Sequence, residues 1–365
     1  MKVLDPDSIH SGEASVATPE HEKTREIQSV LVIHQGAIGD FVLALPALRV
    51  LRKTFPTARS VIMGYPRILE LVEKRFYAEE IVSVDRKGMA SFFVRGGALD
   101  ADLSGFFSSF DLIVVFTKDG EGPLIGNLRR VSQGRILHVT PFPPMHERTH
   151  LSEHLLRELR RYSLSMPGQE PRLYLTRADQ ERGANYCERK GLTFTESTRT
   201  IVIHPGSGSK RKVWPVDRFV ELMRRLERAD GTRALVVLGP AEGAEVQKAF
   251  EAVAWEMGPA APIFLKGLTL LELASVIEAS RLFLGNDSGI THMAAALGVP
   301  TVAIFGPSDP KIWSPWGRHV ALVRSNIACS PCSQETFVEC QDIQCLKQVS
   351  VDDVLAAVSH MAREV

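Results

Sequence analysis

A carboxylate stands at the end of a glycine-containing turn early in the chain, in the segment Gly36-Ala37-Ile38-Gly39-Asp40. An apolar run precedes the turn, which predicts that Asp40 lies near the carboxyl end of a buried strand, where clefts open in parallel sheets. A carboxylate at that place could take a proton from a substrate as a general base. It could also serve only as a cap for the following helix. Gly36 and Gly39 would let a ligand approach the backbone closely.

A second candidate site follows the apolar run that ends in His204. The loop combines glycines, hydroxyls and cations in the order Gly206, Ser207, Gly208, Ser209, Lys210, Arg211, Lys212. Backbone N–H groups, hydroxyls and ammonium charges together could bind phosphate, with Ser207, Gly208 and Lys212 as the candidate residues. The alternative is a solvated basic surface loop. Neither this loop nor the first turn matches a Walker or a dinucleotide-binding pattern.

A third candidate site combines a small-residue turn with the start of a helix, in the segment that contains Asp287, Ser288, Gly289 and His292. The unpaired N–H groups and the positive dipole end of such a helix would bind an anion such as a pyrophosphate. Asp287 and His292 could instead be structural, one as a helix cap and the other as a residue on the helix face.

Four of the five cysteines crowd together near the end of the chain, at Cys329, Cys332, Cys340 and Cys345, while Cys187 stands alone. Four thiols at this spacing could hold zinc or an iron–sulfur cluster. Disulfide or redox-labile pairing and plain buried thiols are the alternatives. A disulfide scaffold is not expected in a chain of this size without an export signal.

Short apolar strands alternate with amphipathic helices along the chain, which is typical of a doubly wound parallel α/β sheet. Because the 365 residues are about twice what one hydrophobic core usually serves, we expect two domains. The proline- and glycine-containing stretch from Ser163 to Arg172 predicts a linker between them. We therefore predict Rossmann-like domains at residues 28–165 and 166–345 that face each other across a cleft.

Two local expectations accompany this division. Residues 1–27 are polar and lack the apolar stretch of a signal peptide, so we expect a flexible leader and a cytoplasmic protein. The first helix is expected to begin close to Pro46.

Composition excludes several classes of protein. The 43 Lys and Arg residues balance 43 Asp and Glu residues, whereas a general nucleic-acid binder normally carries a basic excess. No apolar run approaches the ~18 residues that span a bilayer. The hydrophobic fraction of 44% is that of an ordinary globular protein rather than a disordered one.

The chain resembles lipopolysaccharide heptosyltransferases, which form glycosyltransferase family 9 and have the two-Rossmann GT-B fold. The resemblance spans roughly residues 29–360, and the cysteine segment with Cys329-x-Pro331-Cys332 looks most like the heptosyltransferase II branch. It rests on three motifs that occur in the family's order: Gly36-x-x-Gly39-Asp40 with Pro46-Ala47-Leu48 after it, Lys212-x-Trp214-Pro215, and Asp287-Ser288-Gly289-x-x-His292-x-Ala294-Ala295-Ala296.

The resemblance implies transfer of L-glycero-D-manno-heptose from ADP-heptose to the lipopolysaccharide inner core, with inversion at the anomeric carbon. It implies Asp40 as the general base and a donor pocket formed by Ser207, Gly208, Lys212, Asp287, Ser288, Gly289 and His292. Glu242 or Glu245 matches the position of a carboxylate near the nucleoside. No cofactor is implied, since loop cations and a helix N-terminus can stabilise the departing ADP.

The resemblance also carries two structural expectations. Residues 88–107, rich in Phe, Gly and Ser, depart from the family pattern and are interpreted as a loop that faces the acceptor. The last helix, in residues 346–365, is expected to pack back towards the first domain, as in GT-B enzymes.

The implied partners are a nucleotide-sugar donor and a lipid-linked oligosaccharide acceptor, with peripheral contact at the inner face of the inner membrane and no nucleic acid. Two further interpretations stay open. The chain could be a family 9 transferase that uses another nucleotide-sugar or surface-glycan acceptor, or a non-catalytic protein that binds nucleotide-sugars. A metal or redox protein built around the four cysteines would leave the loop at 210–212 and the turn at 285–296 unexplained.

Overall fold

The computed structural model describes residues 26–118, 120–167, 170–191, 200–239, 243–258 and 261–363. All but the end of the predicted leader at residues 1–27 therefore lies outside the described residues. The described chain forms two α/β domains, each built on its own parallel sheet. This confirms the predicted fold class.

The first domain has a five-stranded sheet with the strand order β3-β2-β1-β4-β5. Its strands are short apolar runs, and β1 and β4 are buried along almost their whole length, as expected for strands covered on both faces. The elements in chain order are β1 (Ser29–Ile33), α1 (Ile38–Thr54), β2 (Arg59–Gly64), α2 (Pro66–Leu69), β3 (Glu80–Ser83), a 3₁₀ turn (Met89–Phe93), α3 (Ala101–Ser108), β4 (Leu112–Phe116), α4 (Pro123–Val131), β5 (Arg135–Val139) and α5 (Leu151–Arg160).

The second domain has a six-stranded sheet with the strand order β11-β10-β9-β6-β7-β8. The elements are α6 (Arg177–Arg189), β6 (Thr200–His204), a 3₁₀ turn (Lys210–Lys212), α7 (Val216–Asp230), β7 (Arg233–Leu238), α8 (Ala244–Met257), β8 (Ile263–Lys266), α9 (Leu270–Glu278), β9 (Leu282–Asn286), α10 (Gly289–Ala296), β10 (Thr301–Ile304), α11 (Pro310–Trp313), β11 (Val320–Val323), α12 (Gln334–Glu339), α13 (Gln344–Lys347) and α14 (Val351–Met361).

The strand order reverses once in each sheet, between β1 and β4 in the first and between β6 and β9 in the second. Chain connections leave such a switch point in opposite directions, which opens a crevice at the carboxyl ends of the two strands. The three candidate sites follow β1, β6 and β9. The topology therefore places all of them at the switch points.

Helix α1 begins at Ile38, so the expected start near Pro46 is wrong. Proline has no N–H and its ring crowds the preceding turn, which normally breaks a helix. Here the hydroxyl of Ser152 on α5 donates a hydrogen bond of 2.7 Å to the carbonyl oxygen of Leu43. Pro46 lacks the N–H that would pair with the carbonyl of Val42 four residues earlier, and the Ser152 bond is made to the neighbouring carbonyl of Leu43.

The final helix does not pack towards the first domain, which corrects that expectation. Helix α14 packs on α7 and on strands β9, β10 and β11 of the second sheet. The indole N–H of Trp214 donates to the carbonyl oxygen of Val349 at 3.0 Å, which holds the start of the helix on the second domain. The apolar face that covers this sheet consists of Val351, Val354, Val358 and Met361, all buried.

Residues 88–107 form core structure rather than an acceptor-facing loop. The segment makes the 3₁₀ turn and most of α3, and Gly88 enters the turn with a φ of 88° that glycine adopts without strain. The side chains of Met89, Phe92, Leu103 and Phe107 are buried in one apolar cluster. Phe92 and Phe107 are therefore needed for packing, whereas Phe93 is exposed.

A buried ion pair joins the two domains at one side of the cleft. The guanidinium of Arg75 donates to both carboxylate oxygens of Asp179 on α6, at 2.6 and 2.8 Å. The side chains are only 10% and 1% exposed. Because both charges are out of water, neither can be left alone without a large desolvation cost.

We expect Arg75→Ala to destabilise the protein by about 3 kcal/mol, because Asp179 would stay buried without its main counter-charge. Arg177→Ala is the matched control, since Arg177 is 91% exposed and, among the described residues, forms an ion pair with Glu181 on the same helix. That control should change stability by about 0.5 kcal/mol or less. Urea denaturation of both variants tests this, and equal losses would show that the Arg75 pair does not hold the domains.

Candidate active site

Helices α1 and α10, which follow β1 and β9 at the two switch points, lie with their N-termini close together at the domain boundary. Helix α1 packs against α10. A Cβ atom added at Gly289 would lie 2.6 Å from the Cβ of Ile38 and 2.9 Å from the backbone nitrogen of Gly39. A Cβ added at Gly39 would lie 3.2 Å from Cδ2 of His292. Glycine at both positions therefore lets the two helix N-termini approach, and both carry positive dipole ends that favour an anion.

Asp40 is the third residue of α1 and is half-buried. Its Oδ2 atom accepts a hydrogen bond of 3.2 Å from the backbone N–H of Ala37, so the capping role considered from sequence is present. No described residue donates a hydrogen bond to Oδ1. Burial raises the pKa of Asp40, while the Ala37 N–H and the charge of Lys212 oppose the rise. One oxygen fixes the side chain, and the other is available to accept a proton.

The turn after β9 is held by its own side chains and by the loop after β6. Ser288 caps α10 by accepting from the N–H of Thr291, and its Oγ lies 3.2 Å from Nδ1 of His204. The hydroxyl of Ser207 donates to the carbonyl oxygen of Asp287 at 2.6 Å. The carboxamide nitrogen of Asn286 donates to the carbonyl oxygen of Pro205, and its oxygen accepts from the backbone N–H of Trp214. The second and third candidate sites are thus one rigid unit.

The three consecutive cations after β6 have different roles. Lys210 is exposed, and Arg211 donates to the backbone carbonyl oxygens of Val338 and Cys340. Lys212 forms an ion pair with Asp287, with 2.9 Å between Nζ and Oδ2. Its charge also acts on Asp40 and His292. The 3₁₀ turn therefore directs one cation of the three to the domain boundary.

His292 is buried and its Nδ1 atom has no hydrogen-bond partner in the described part of the chain. Burial lowers its pKa to about 4, against the opposing charge of Asp287. The imidazole is therefore neutral at pH 7. An unpaired buried nitrogen of this kind carries an energetic cost that a bound ligand or water can remove.

Two concave spaces flank the N-terminus of α1. The interdomain cleft has a volume of about 960 Å³ and is lined by residues of both domains, among them Gly39, Tyr65, Glu70, Ser207, Gly208, Thr269, Ser288 and Gly289. The second space, named here the β1 pocket, has a volume of about 390 Å³. It is lined by His34, Gln35, Gly36, Ala37, Asp40, Phe116, Thr117, Lys118, Pro141, Phe142 and Leu155. Ala37 borders both spaces, and Asp40, three residues further along α1, lines the β1 pocket.

The structure brings most of the predicted site residues to this boundary. Lys212 and Asp287 form their ion pair there, and Asp40, Gly36, Gly39, Ser207, Gly208, Ser288, Gly289 and His292 line the two spaces or contact a residue that does. Glu242 lies outside the described residues, and so does the side chain of Glu245. Sequence reasoning missed His34, Lys118 and Glu70 as lining residues. His34 directly follows β1, and Lys118 closely follows β4. Their positions at the carboxyl ends of strands were the signal that could have identified them.

The four clustered cysteines gather around a separate cavity of about 30 Å³, which Arg211 also lines. All are free thiols. Burial and then the nearby thiols raise the pKa of Cys345 to about 11. Among the residues that the structure describes, no three His, Cys, Asp or Glu side chains are arranged to hold a metal ion. Cys187 lies apart, buried on α6.

The family description "Glycosyltransferase family 9 (heptosyltransferase)" matches residues 133–341, which is more than half of the chain. The chain belongs to glycosyltransferase family 9. It is therefore a glycosyltransferase, and the resemblance drawn from the three motifs is confirmed at the level of the family.

Individual relatives agree with this assignment. Lipopolysaccharide heptosyltransferase 1 of Pseudomonas aeruginosa is 31% identical over 160 residues, which are 44% of this chain and 39% of that protein. Lipopolysaccharide heptosyltransferase 3 of Escherichia coli K12 is 23% identical over 89% of this chain and 96% of its own length. The solved structure of E. coli ADP-heptose lps heptosyltransferase II covers 92% of this chain and 99% of its own, with a TM-score of 0.70 and 18% identity. That likeness confirms the GT-B fold, and the relatives do not single out one branch.

None of the helices in the described residues is both long and apolar enough to cross a membrane.

We expect Gly289→Ala to weaken nucleotide binding and lower the melting temperature, because the new methyl group would press on Ile38 and Gly39. Overpacking of this kind typically costs about 1–3 kcal/mol. Gly105→Ala is the control. Gly105 lies in helix α3, and a Cβ atom added there would have no neighbour within 4 Å. Thermal unfolding and ADP titration of both variants measure the effect. Equal behaviour of the two variants would mean that the helix ends do not need the close approach.

Proposed function

We propose that this protein is an inverting heptosyltransferase that moves L-glycero-D-manno-heptose from ADP-heptose to the inner core of lipopolysaccharide. The observation that carries the proposal is the place of Asp40, which lines the β1 pocket three residues after Ala37, where that pocket borders the interdomain cleft. One of its carboxylate oxygens accepts no hydrogen bond from a described residue. The cleft takes the donor and the β1 pocket takes the acceptor sugar. The reacting centre then lies at the N-terminus of α1.

The donor diphosphate binds where the N-termini of α1 and α10 meet. Both dipoles favour negative charge there, and Lys212 adds a full positive charge. Ser207, Gly208, Ser288 and Gly289 line the same cleft. The neutral ring of His292 offers a nitrogen without a partner among the described residues. The E. coli protein of similar fold is named as an ADP-heptose heptosyltransferase, which agrees with this assignment.

The reaction is a single displacement. The acceptor hydroxyl oxygen attacks the anomeric carbon of heptose from the face opposite ADP, and Asp40 takes the hydroxyl proton. The bond between the anomeric carbon and the phosphate oxygen breaks, and its electron pair leaves with ADP. The raised pKa of Asp40 suits this task, since a base works best when its pKa approaches the working pH. Lys212 and the two helix ends stabilise the charge on the departing diphosphate.

In this proposal the acceptor is a lipid-linked oligosaccharide, and the enzyme works in the cytoplasm in peripheral contact with the inner face of the inner membrane. No resident cofactor takes part in the reaction, and no nucleic acid is a partner. The heptosyltransferase II branch is proposed from the cysteine segment alone. These assignments rest on the family resemblance and on the names of the relatives.

A transferase of the same family that uses another nucleotide-sugar is the second candidate. The apolar residues of the cleft, Val237, Leu268 and Leu273, could pack against any nucleobase and so do not select adenine. Calorimetric titration with ADP, UDP and GDP separates the two. Selective binding of ADP supports the heptose donor. Selective binding of UDP or GDP would keep the glycosyltransferase and overturn the choice of sugar, and binding of none would favour a protein that has kept the fold and lost the reaction.

Asp40→Asn should retain ADP-heptose binding and lose transfer by about 10²–10⁴-fold, because the amide cannot accept the proton. In the wild-type protein the rate should fall as pH drops through the pKa of Asp40, which lies above its ordinary value of 3.8. Above that pKa the carboxylate is charged and the rate is full. Single-turnover transfer measured across pH provides both results. An unimpaired Asn variant would remove Asp40 as the base.

Lys212→Ala should weaken ADP-heptose binding by about tenfold or more, because one charge-assisted contact to the diphosphate is lost. Lys210→Ala is the matched control, as Lys210 is an exposed cation in the same turn and has no place in the proposed site. Its affinity should stay at the wild-type value. Titration calorimetry at one fixed salt concentration compares the two, and unchanged affinity in both variants would show that the basic loop is solvated surface.

A further inference from the structure

His34 directly follows β1 and lines the β1 pocket, yet the mechanism above gives it no role. Its side chain is 5% exposed and lies edge-on to Phe41 and Phe116, with ring centroids 5.3 and 5.2 Å away. The two phenylalanines fix the plane of the imidazole. A histidine held this firmly presents its nitrogens in fixed directions.

The tautomer of His34 follows from its neighbours. The backbone N–H of Gly36 donates to Nδ1 at 3.3 Å, so Nδ1 carries a lone pair. Burial lowers the pKa of His34 to about 4, which keeps the ring neutral at pH 7. The single ring proton is therefore on Nε2. No described residue accepts a hydrogen bond from that proton, and His34 lines the β1 pocket, so the proton is available to a bound ligand or water there.

Gly36 lies where the side chains of His34 and Asp40 come close to the same point of the backbone. A Cβ atom added there would lie 2.6 Å from Cε1 of His34, 2.8 Å from Cβ of Asp40 and 3.4 Å from its Oδ2. Position 36 therefore has no room for a side chain, and the imidazole and the carboxylate lie on either side of it. Because all three residues line the β1 pocket, the imidazole presents a proton donor and the carboxylate a proton acceptor to the same pocket.

We propose that His34 binds the acceptor sugar, with its Nε2–H donating to a neutral sugar oxygen beside the hydroxyl that Asp40 deprotonates. The inference rests on the proposed function, because it assigns the β1 pocket to the acceptor. A neutral donor selects a hydroxyl or ring oxygen without drawing an anion into the pocket. It also fixes the sugar so that the attacking hydroxyl points at the free carboxylate oxygen.

Two substitutions separate this role from a structural one. In His34→Gln the amide nitrogen can occupy the place of Nε2 and keep a donor in the pocket. In His34→Asn the shorter amide reaches only the place of Nδ1, where it can keep the contact with the Gly36 N–H. The proposal expects KM for the acceptor to rise about tenfold in the Asn variant and less than about threefold in the Gln variant. The dissociation constant for ADP should be unchanged in both.

The reverse order, with Asn close to wild type and Gln impaired, would overturn the proposal in favour of a role in the turn. Equal damage to acceptor KM and ADP affinity in both variants would overturn it as well, since that pattern signals general disruption. If the wild-type protein transfers no heptose, the proposed function fails. Calorimetry with lipopolysaccharide inner-core oligosaccharide on the same three proteins then decides the role of His34, and absence of binding to wild type overturns it.

Discussion

The architecture depends on the close approach of two helix N-termini that belong to different domains. Helices α1 and α10 can meet only because Gly39 and Gly289 carry no side chain at the contact. Two positive dipole ends and the charge of Lys212 at one boundary repel each other in the absence of negative charge. Asp40 and Asp287 supply part of that charge within the protein. A bound diphosphate would supply the rest, so the arrangement that is costly when empty becomes favourable when the donor is present.

The remainder of the structure keeps these ends in place. The switch points set the carboxyl ends of β1, β6 and β9 at the boundary, and α5 satisfies the carbonyl of Leu43 before the proline in α1. The buried pair of Arg75 and Asp179 ties the domains together at a distance from the helix ends. Because these contacts are polar and directional, they fix the orientation of the domains more narrowly than apolar packing alone would.

Much of the fold could be predicted from the sequence because buried parallel strands are nearly continuous apolar runs, as at β1, β6 and β9. The partner of an amphipathic helix is not encoded in its own pattern. The stripe on α14 shows that one face is buried, and the long-range bond between Trp214 and Val349 decides which sheet it covers. The local pattern likewise does not reveal that α1 begins at Ile38 and continues through Pro46.

The candidate site shows a similar division. Glycine turns after strands identified the three segments, but the sequence did not distinguish Lys210 from Lys212, whose directions depend on a 3₁₀ turn. Asp40 combines the cap and the free oxygen, which sequence reasoning had treated as alternatives. The donor proton of His34 could not be inferred from the sequence, because it depends on the turn that aims the N–H of Gly36 at the ring and on burial by Phe116, which is distant in the chain.

The most direct test of this account compares the binding of ADP with that of adenosine by titration calorimetry on the wild-type protein. If the facing helix ends and Lys212 hold the diphosphate, ADP should bind at least about 100-fold more tightly, and the difference should shrink as salt is added. Equal affinities would contradict the account, because they would show that the junction of α1 and α10 contributes nothing to recognition of the donor.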